Sequence, residues 1–517
     1  MVLSLGDLPE EILYNILLFC DAIDSVAVGS TARRFRGVTN EPLLWRNYCQ
    51  TFSHFPQVAD WKALYISRYL IDRATSRLFD SILANQTGRI EKLRSIINFG
   101  CDAKDTLLRN LSVDSSAEDY LARRYYAKAL LTSLHRTIAI PEWVGLRNGD
   151  EIPLVNALGA FDLFIPESGF GNFDEINDRL EQILSRFRLQ HPDFETASPR
   201  GKAGAIAAYL RAHNLTGIEP GREYHCLEHN FLGVALDDPG HNSLPLVSAV
   251  IYCHIAQMLG LNARPCGFPF HVHVIVVPPW GFDIDGNNID TQGEPIYMDP
   301  FRSDQETPTS DMRTQLNFLG ASPIEQSAFM GESRTSEIVL RCSKNILNSV
   351  QRTGQSSAVD VGCARYAALW SSLLLSSQPD IQQLLWLLEL VATDFPSDVH
   401  LVERYIAATF RGTPEFEHIL ESLHVIRAVD EIPKQVKRRS SEEVSFRVGQ
   451  VFRHRRYNYT AIVTGWDAEC GAGEQWMRRM GIDHLQSGRQ QSFYHVIVED
   501  KSVRTATNAS CGGREIL

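Results

Sequence analysis

A change of hydrophobic period divides this chain. For most of its length before residue 433, apolar residues return at the three-to-four spacing of helices. Beyond a basic stretch, Lys434 to Arg439 followed by Ser440-Ser441-Glu442-Glu443, they alternate in short runs at Gln450 to Arg453, Thr460 to Thr464 and Ser492 to Val498. A small all-β module is therefore expected behind an exposed hinge. With 517 residues, several domains are expected in any case, because single cores seldom outgrow about 250–300 residues. The formal net charge of −12 argues against the whole molecule being a nucleic-acid coat and leaves room for one local basic face. Gly6, Asp7, Glu10 and Glu11 interrupt the first apolar residues, so no signal peptide is visible. No run reaches the roughly 18 apolar residues of a membrane span. Scattered cysteines without paired spacing suggest reduced thiols in cytoplasm, nucleus or both. Lys434, Lys437, Arg438 and Arg439 read equally as a nuclear import signal or as a solvated hinge.

The first fifty residues carry more apolar side chains than they can cover. Asp7 and Glu10 have the spacing of a capping box. Ile12, Leu13, Ile16, Leu17 and Cys20 then form a helical stripe, Asp24 is placed to cap a second helix, and Pro42 opens a third with Leu44, Trp45, Tyr48, Cys49 and Phe52. About fifty residues cannot bury all of this internally, so a partner surface is the natural destination. Leu8-Pro9-Glu10-Glu11-Ile12, Arg33-Arg34-Phe35 and Leu44-Trp45-Arg46, in that order, resemble an F-box over residues 1–55. The resemblance implies docking on a Skp-type adaptor of a cullin ubiquitin ligase, with Leu8, Pro9, Ile12, Ile16, Leu17 and Trp45 as anchors. A helical cap on the rest of the chain is the plainer alternative.

Residues 56–148 read as a helical connector without chemistry. Trp61, Leu64, Tyr65, Arg68 and Tyr69 share one stripe, and Ile90, Leu93, Ile96 and Ile97 another. A mixed unit follows over 150–310. It has a helix at about 174–187, a helix from Pro245 to Gly260, a strand Val272 to Val277 and a second strand ending at Tyr297-Met298-Asp299. Ser/Thr/Gln-rich sequence at 303–336 loosens the pattern before a helical tail resumes, the tail as a whole being placed at 311–432.

Helix, strand with His and strand with Asp is the order of papain-like and transglutaminase-like cysteine enzymes, whose thiolate sits at the helix start. More narrowly, Tyr224-His225-Cys226-x-x-His229-Asn230-Phe231-Leu232, Leu244-Pro245, Gly260-Leu261 and Gly267-Phe268-Pro269-Phe270-His271 resemble the SirB-type transglutaminase-like family over about 150–410. That resemblance places His271 on the family's histidine and Asp299 on its aspartate. The helix start reads Asn242-Ser243-Leu244-Pro245-Leu246 and holds no cysteine, as is common in the SirB-type pattern. His271 and Asp299 are then read as vestigial, a structural pair before a catalytic one, because acyl transfer needs a nucleophile–base contact. Cys226 or Ser243 would have to substitute in an acyltransferase or hydrolase. His225-Cys226-x-x-His229 offers three zinc-type ligands without a second pair at standard spacing, and is read as a packed element. Asp283 to Asp290 faintly resembles a calcium loop with its glycine misplaced, and is read as a turn. No metal and no cofactor is expected.

Past the hinge at 433–443, the run Gly449-Gln450-Val451, His454-Arg455-Arg456-Tyr457, Gly465-Trp466-Asp467 and Phe493-Tyr494-His495-Val496 resembles the YccV-like, or hemimethylated-DNA-binding, module over 444–510, a small β-barrel. Bacterial relatives tie that module both to DNA and to a protease-adaptor role. From Phe446 to Arg504, nine Arg/Lys stand against six Asp/Glu, a net of +3, which is modest for a dedicated DNA reader. Arg453, Arg455, Arg456, Tyr457, Tyr459, Trp466 and Tyr494 are the candidates for contact with nucleic acid or with a client protein. The usual closing segment is missing after Arg504, which leaves completion of the barrel open.

The expected fold is therefore multidomain α+β: a three-helix F-box, a helical region, a transglutaminase-like unit with a helical tail, and a C-terminal small β-barrel. The favoured function is a non-catalytic substrate receptor of a cullin ligase that raises the effective concentration of an unknown client. A DNA-binding protein is the alternative, and a transglutaminase-like enzyme trails both.

Overall fold

The computed structural model describes residues 5–52, 58–117, 119–219, 224, 226–352, 357–433, 444–455, 458–471, 474–485, 487–498 and 515–516. They fall into two compact units, 1–432 and 433–517.

The first unit opens with four helices where three are expected: α1 (Glu10–Leu17), α2 (Ala22–Thr31), α3 (Arg33–Thr39) and α4 (Pro42–Cys49). Extended backbone at Ala32 (φ −151°, ψ 150°) breaks the stretch between Ala22 and Thr39 into two pieces. The α2–α3 crossing is so close that a Cβ on Gly29 would stand 2.2 Å from the Thr39 hydroxyl, so only glycine fits. Two expected caps shift. Leu5–Asp7 forms a 3-10 turn and α1 starts at Glu10, which puts Glu10 at the first helical position instead of the third. Helix α2 starts at Ala22, so Asp24 lies inside its first turn and Asp21 takes the cap position.

Helices α5 (Trp61–Ala84), α6 (Arg89–Ile97), α7 (Lys104–Leu111) and α8 (Tyr120–Asn148) follow. They are more than a connector. Helix α8 carries Ala139, Ile140 and Trp143 into the same core as α9 (Leu154–Asp162) and the central helices, and the Trp143 indole donates to the Ala157 carbonyl at 2.9 Å. Its Arg136 is fully enclosed. The guanidinium Nε lies 2.6 Å from Asp398 Oδ2, the ring of Phe395 lies beneath it, and Ser133 and Tyr366 donate to the same carboxylate. One buried charge cluster thus joins α8 to a segment far along the chain.

The central part contains α10 (Phe173–Gln190), α11 (Pro199–Ala212), α12 (Leu232–Asp237) and α13 (Pro245–Met258). Proline sits in the first turn of α13, and Gly260 takes a left-handed conformation just after its end (φ 83°). An antiparallel sheet follows in the order β1 (Asn262–Cys266), β2 (His273–Val277), β3 (Ile296–Met298) and β4 (Glu306–Thr307). Val274 and Val276 join the main core with α13, while Ile275 and Tyr297 join a smaller cluster with Met312, Leu316 and Met330. These last residues belong to α14 (Thr309–Phe318) and α15 (Pro323–Met330), two helices in the stretch expected to be loose. Helix α15 begins with a capping box, Ser322 with Glu325.

The tail comprises α16 (Thr335–Arg352), α17 (Val361–Leu375), α18 (Ile381–Thr393), α19 (Val399–Leu401), a π-helical turn at Val402–Ile406, α20 (Ala407–Thr409) and α21 (Pro414–Glu431). Among the described residues no helix is long and apolar enough to cross a membrane, and no disulfide links the described cysteines.

The second unit is an antiparallel sheet in the order β5 (Val451–Arg453), β6 (Thr460–Asp467), β7 (Phe493–Val498) and β8 (Glu515–Ile516), with α22 (Glu474–Met480) between β6 and β7. Strand β8, which the sequence does not announce, supplies a last partner for β7 through His495–Ile516 and Val496–Glu515. Among the described residues the strand order is open at both ends. The whole is multidomain α+β.

Candidate functional site

Strand pairing assembles the central site. Val274 pairs with Met298, so one further step along the antiparallel register brings His273 opposite Asp299. His271 lies two residues earlier, in the turn that leads into β2, and the two rings lie 5.0 Å apart, edge to face. His271 Nε2 stands 2.9 Å from Asp299 Oδ2. The distance is within hydrogen-bond reach, although the ring N–H is poorly aimed along it. All three residues are buried.

Burial would push the Asp299 carboxyl up, but His271, His273 and Arg302 outweigh it and hold Asp299 below its ordinary range. Burial pushes His273 down to about 4, so its imidazole is neutral at physiological pH. The turn into the site is strained. Phe270 adopts a positive φ of 64° and is 86% exposed, while His271 N donates to the Pro269 carbonyl and the imidazole turns inward. A cleft of about 550 Å³ opens over the two imidazoles, lined also by Phe268, Phe270, Arg302 and Phe318.

The sequence brings His271 and Asp299 together as expected but gives no role to His273, whose His-x-His spacing was the available signal. At the start of α13, Ser243 is fully buried, and its hydroxyl lies 2.7 Å from that of Ser248, which in turn accepts from Gly217 N. Ser243 is thus engaged in holding the loop to the helix. Cys226 is half-buried beside the turn of Glu228–Asn230, and His225 lies outside the described residues. The calcium-like stretch is a turn in which Asp283 accepts from the backbone N–H groups of Asp285 and Asn287. No metal ligands were expected anywhere. Among the described residues, His271, His273 and Asp299 are nonetheless a group of ligand atoms within 4.8 Å of one another.

The N-terminal apolar ridge splits into two faces. Leu13, Leu17, Leu44, Trp45 and Tyr48 form an internal core, and Trp45 is 1% exposed with its indole donating to the Thr39 carbonyl at 2.8 Å. Tyr65 of α5 packs edge-on against Trp45 and Tyr48. Leu17 and Trp45 are therefore framework and not docking anchors, a correction that follows from the side of each helix they occupy. Ile12 and Ile16 point outward, joined by side chains the sequence stripe did not include: Phe19 at 93% exposure, Ile23, Val26 and Leu43. Leu8 is half-buried and Pro9 exposed. Arg34 fixes this segment, its guanidinium donating to the carbonyls of Gly6 and Leu8.

In the second unit the candidate contacts scatter. Arg453 and Arg455 are exposed, while Arg456 and Tyr457 lie outside the described residues. Tyr494 is buried, its hydroxyl accepting from Ser445 N and Phe446 N, and Tyr459 is buried beside His454 at 4.8 Å. Trp466 is half-buried against the same core. These three rings hold the sheet, so they are not a stacking platform for bases. Arg489 is committed to Glu474 and Asp483, which raise its pKa further and remove it from the pool of phosphate contacts.

Comparison with known proteins supplies the class. Residues 5–51 match the family model described as F-box-like, residues 174–344 the Transglutaminase-like superfamily, and residues 444–509 Hemimethylated DNA-binding protein YccV like. The chain carries these three kinds of domain in that order. Among curated proteins it is similar to F-box only protein 21 of Pongo abelii, with 28% identity over 276 residues, which is 51% of this chain and 41% of the relative. The proteins of that name from Mus musculus and Homo sapiens are each 27% identical over 280 residues, 51% of this chain and 42% of theirs. The matched region thus spans about two fifths of the length of these relatives. No solved structure is a significant match.

Proposed function

We propose that this chain is the substrate-receptor subunit of a Skp-cullin-F-box ubiquitin ligase. The observation that carries the reading is the set Ile12, Ile16, Phe19, Ile23, Val26 and Leu43, held outside the core by helices whose other faces are fully packed. Isolated exposed apolar residues are ordinary, but several on neighbouring short helices mark an interaction surface. The F-box-like match over the same residues supports a Skp-type adaptor as the partner of that surface, with the cullin behind it. The subunit performs no bond chemistry. It holds a client near a ubiquitin-charged enzyme, and the central and C-terminal domains choose the client. Ser243, buried against Ser248, supports the non-catalytic reading of the central domain.

The test is affinity purification of the full chain beside an Ile12→Ser/Ile16→Ser variant and a Leu8→Ala/Pro9→Ala variant, with thermal melts of each. The expected result is loss of adaptor and cullin from folded Ile12→Ser/Ile16→Ser protein. Equal recovery of both partners from all three proteins overturns the proposal. A second reading, DNA contact through Arg453 and Arg455, is favoured only by the YccV-like match and the exposure of those two side chains.

A further inference from the structure

We propose that His271, His273 and Asp299 form a binding site for a divalent transition metal of the zinc class, with one coordination position open to the cleft. The inference is independent of the ligase reading. Two imidazoles and a carboxylate are a donor set that suits zinc, and three protein ligands plus an open position is the arrangement of reactive zinc sites.

The donor atoms lie within 4.8 Å of one another, whereas a tetrahedral shell with bonds near 2.0–2.1 Å needs ligand atoms about 3.3 Å apart. The register of β2 and β3 sets His273 opposite Asp299, and His271 Nε2 already stands 2.9 Å from the same carboxylate, so little approach is left to make. A His–Asp pair inherited from a cysteine-enzyme skeleton does not account for what is seen. His271 Nε2 approaches Asp299 Oδ2 at 2.9 Å without hydrogen-bond alignment, and Nδ1 of His273 is buried with no hydrogen-bond partner. Buried ring nitrogens normally find a partner, and one cation converging on the cluster would give a partner to both imidazoles. It would also hold Oδ2 of the carboxylate, which the Arg302 guanidinium approaches only at 4.0 Å from a largely exposed position, while Oδ1 accepts from Arg302 N at 3.3 Å. Both histidines line the cleft, so an ion has a path in and the open position faces solvent.

The experiment uses the full chain, stripped with a chelator, equilibrated with zinc chloride and desalted, with metal counted by mass spectrometry. The expected result is about one zinc per wild-type chain and at least about tenfold weaker binding in His273→Gln and in Asp299→Asn. Wild-type protein that retains no zinc, or variants that retain as much as wild type, overturns the proposal. If either variant fails to fold, wild-type protein loaded with cobalt(II) decides. Intense visible bands of a tetrahedral nitrogen–oxygen site support the assignment. A thiolate charge-transfer band, or the weak spectrum of the hydrated ion, refutes it by placing the metal on a cysteine or nowhere.

Discussion

Helix α13 and helix α1 are both rich in aliphatic residues, yet they end in opposite situations. Nearly every side chain of α13 is covered, by α9, α10 and α11 around it and by β1 and β2 beside it. Helix α1 buries Leu13 and Leu17 and leaves Ile12 and Ile16 in water. The difference lies in the number of neighbours, not in the residues. A helix at the centre of a large unit can be apolar all round, whereas one in a bundle of seven- to ten-residue helices has company on one side only. Apolar surface that remains after the local core is complete is what a second polypeptide can use.

The sharpest way to break the central side of this comparison is at Arg136. Arg136→Met strands Asp398 as a buried, uncompensated carboxylate and should cost about 3–5 kcal/mol in urea melts, while Arg136→Met/Asp398→Leu should recover much of that loss. Next in size is a pair on one helix. Leu17→Ala should destabilise by about 2–5 kcal/mol, whereas Ile16→Ser should stay within about 0.5 kcal/mol of wild type and lose the adaptor in pull-down. Equal effects of the two on stability would remove the distinction between framework and surface.

A smaller effect is expected from pH. His135, on the enclosed side of α8, is pushed from 6.5 down to about 4 by burial first, then by Lys104 and Arg136. Its folded value lies below its unfolded one, so it costs nothing above pH 6.5. Stability falls as pH drops from 6.5 towards 4, by at most about 1.4 kcal/mol per pH unit. His135→Gln should flatten that limb of the stability curve. The smallest effect concerns the second unit: if it contacts DNA, Arg453→Ala/Arg455→Ala should lower the salt slope of binding by about two. A slope unchanged from wild type would leave protein recognition as the role of this sheet.

Local signals in the sequence were the dependable ones. Proline at the start and glycine past the end delimit α13, and the loss of helical period marks the second unit. Ser322-x-x-Glu325 was equally readable as a helix start, and was hidden only by the polar composition around it. Tertiary devices left no comparable trace. Arg136 and Asp398 are 262 residues apart, and nothing in either neighbourhood announces the other. His271 and Asp299 were legible because strand order pairs them. His273 became meaningful only with the register, and Tyr459 and Tyr494 look like surface rings until the sheet is assembled around them.

Arg34 has a consequence for how recognition is timed. By tethering the carbonyls of Gly6 and Leu8, it orders the leading turn before any partner arrives. The entropy of fixing that strip is spent during folding, so encounter with a partner begins from a rigid template. Loss of that one guanidinium would slow capture without removing a single apolar contact.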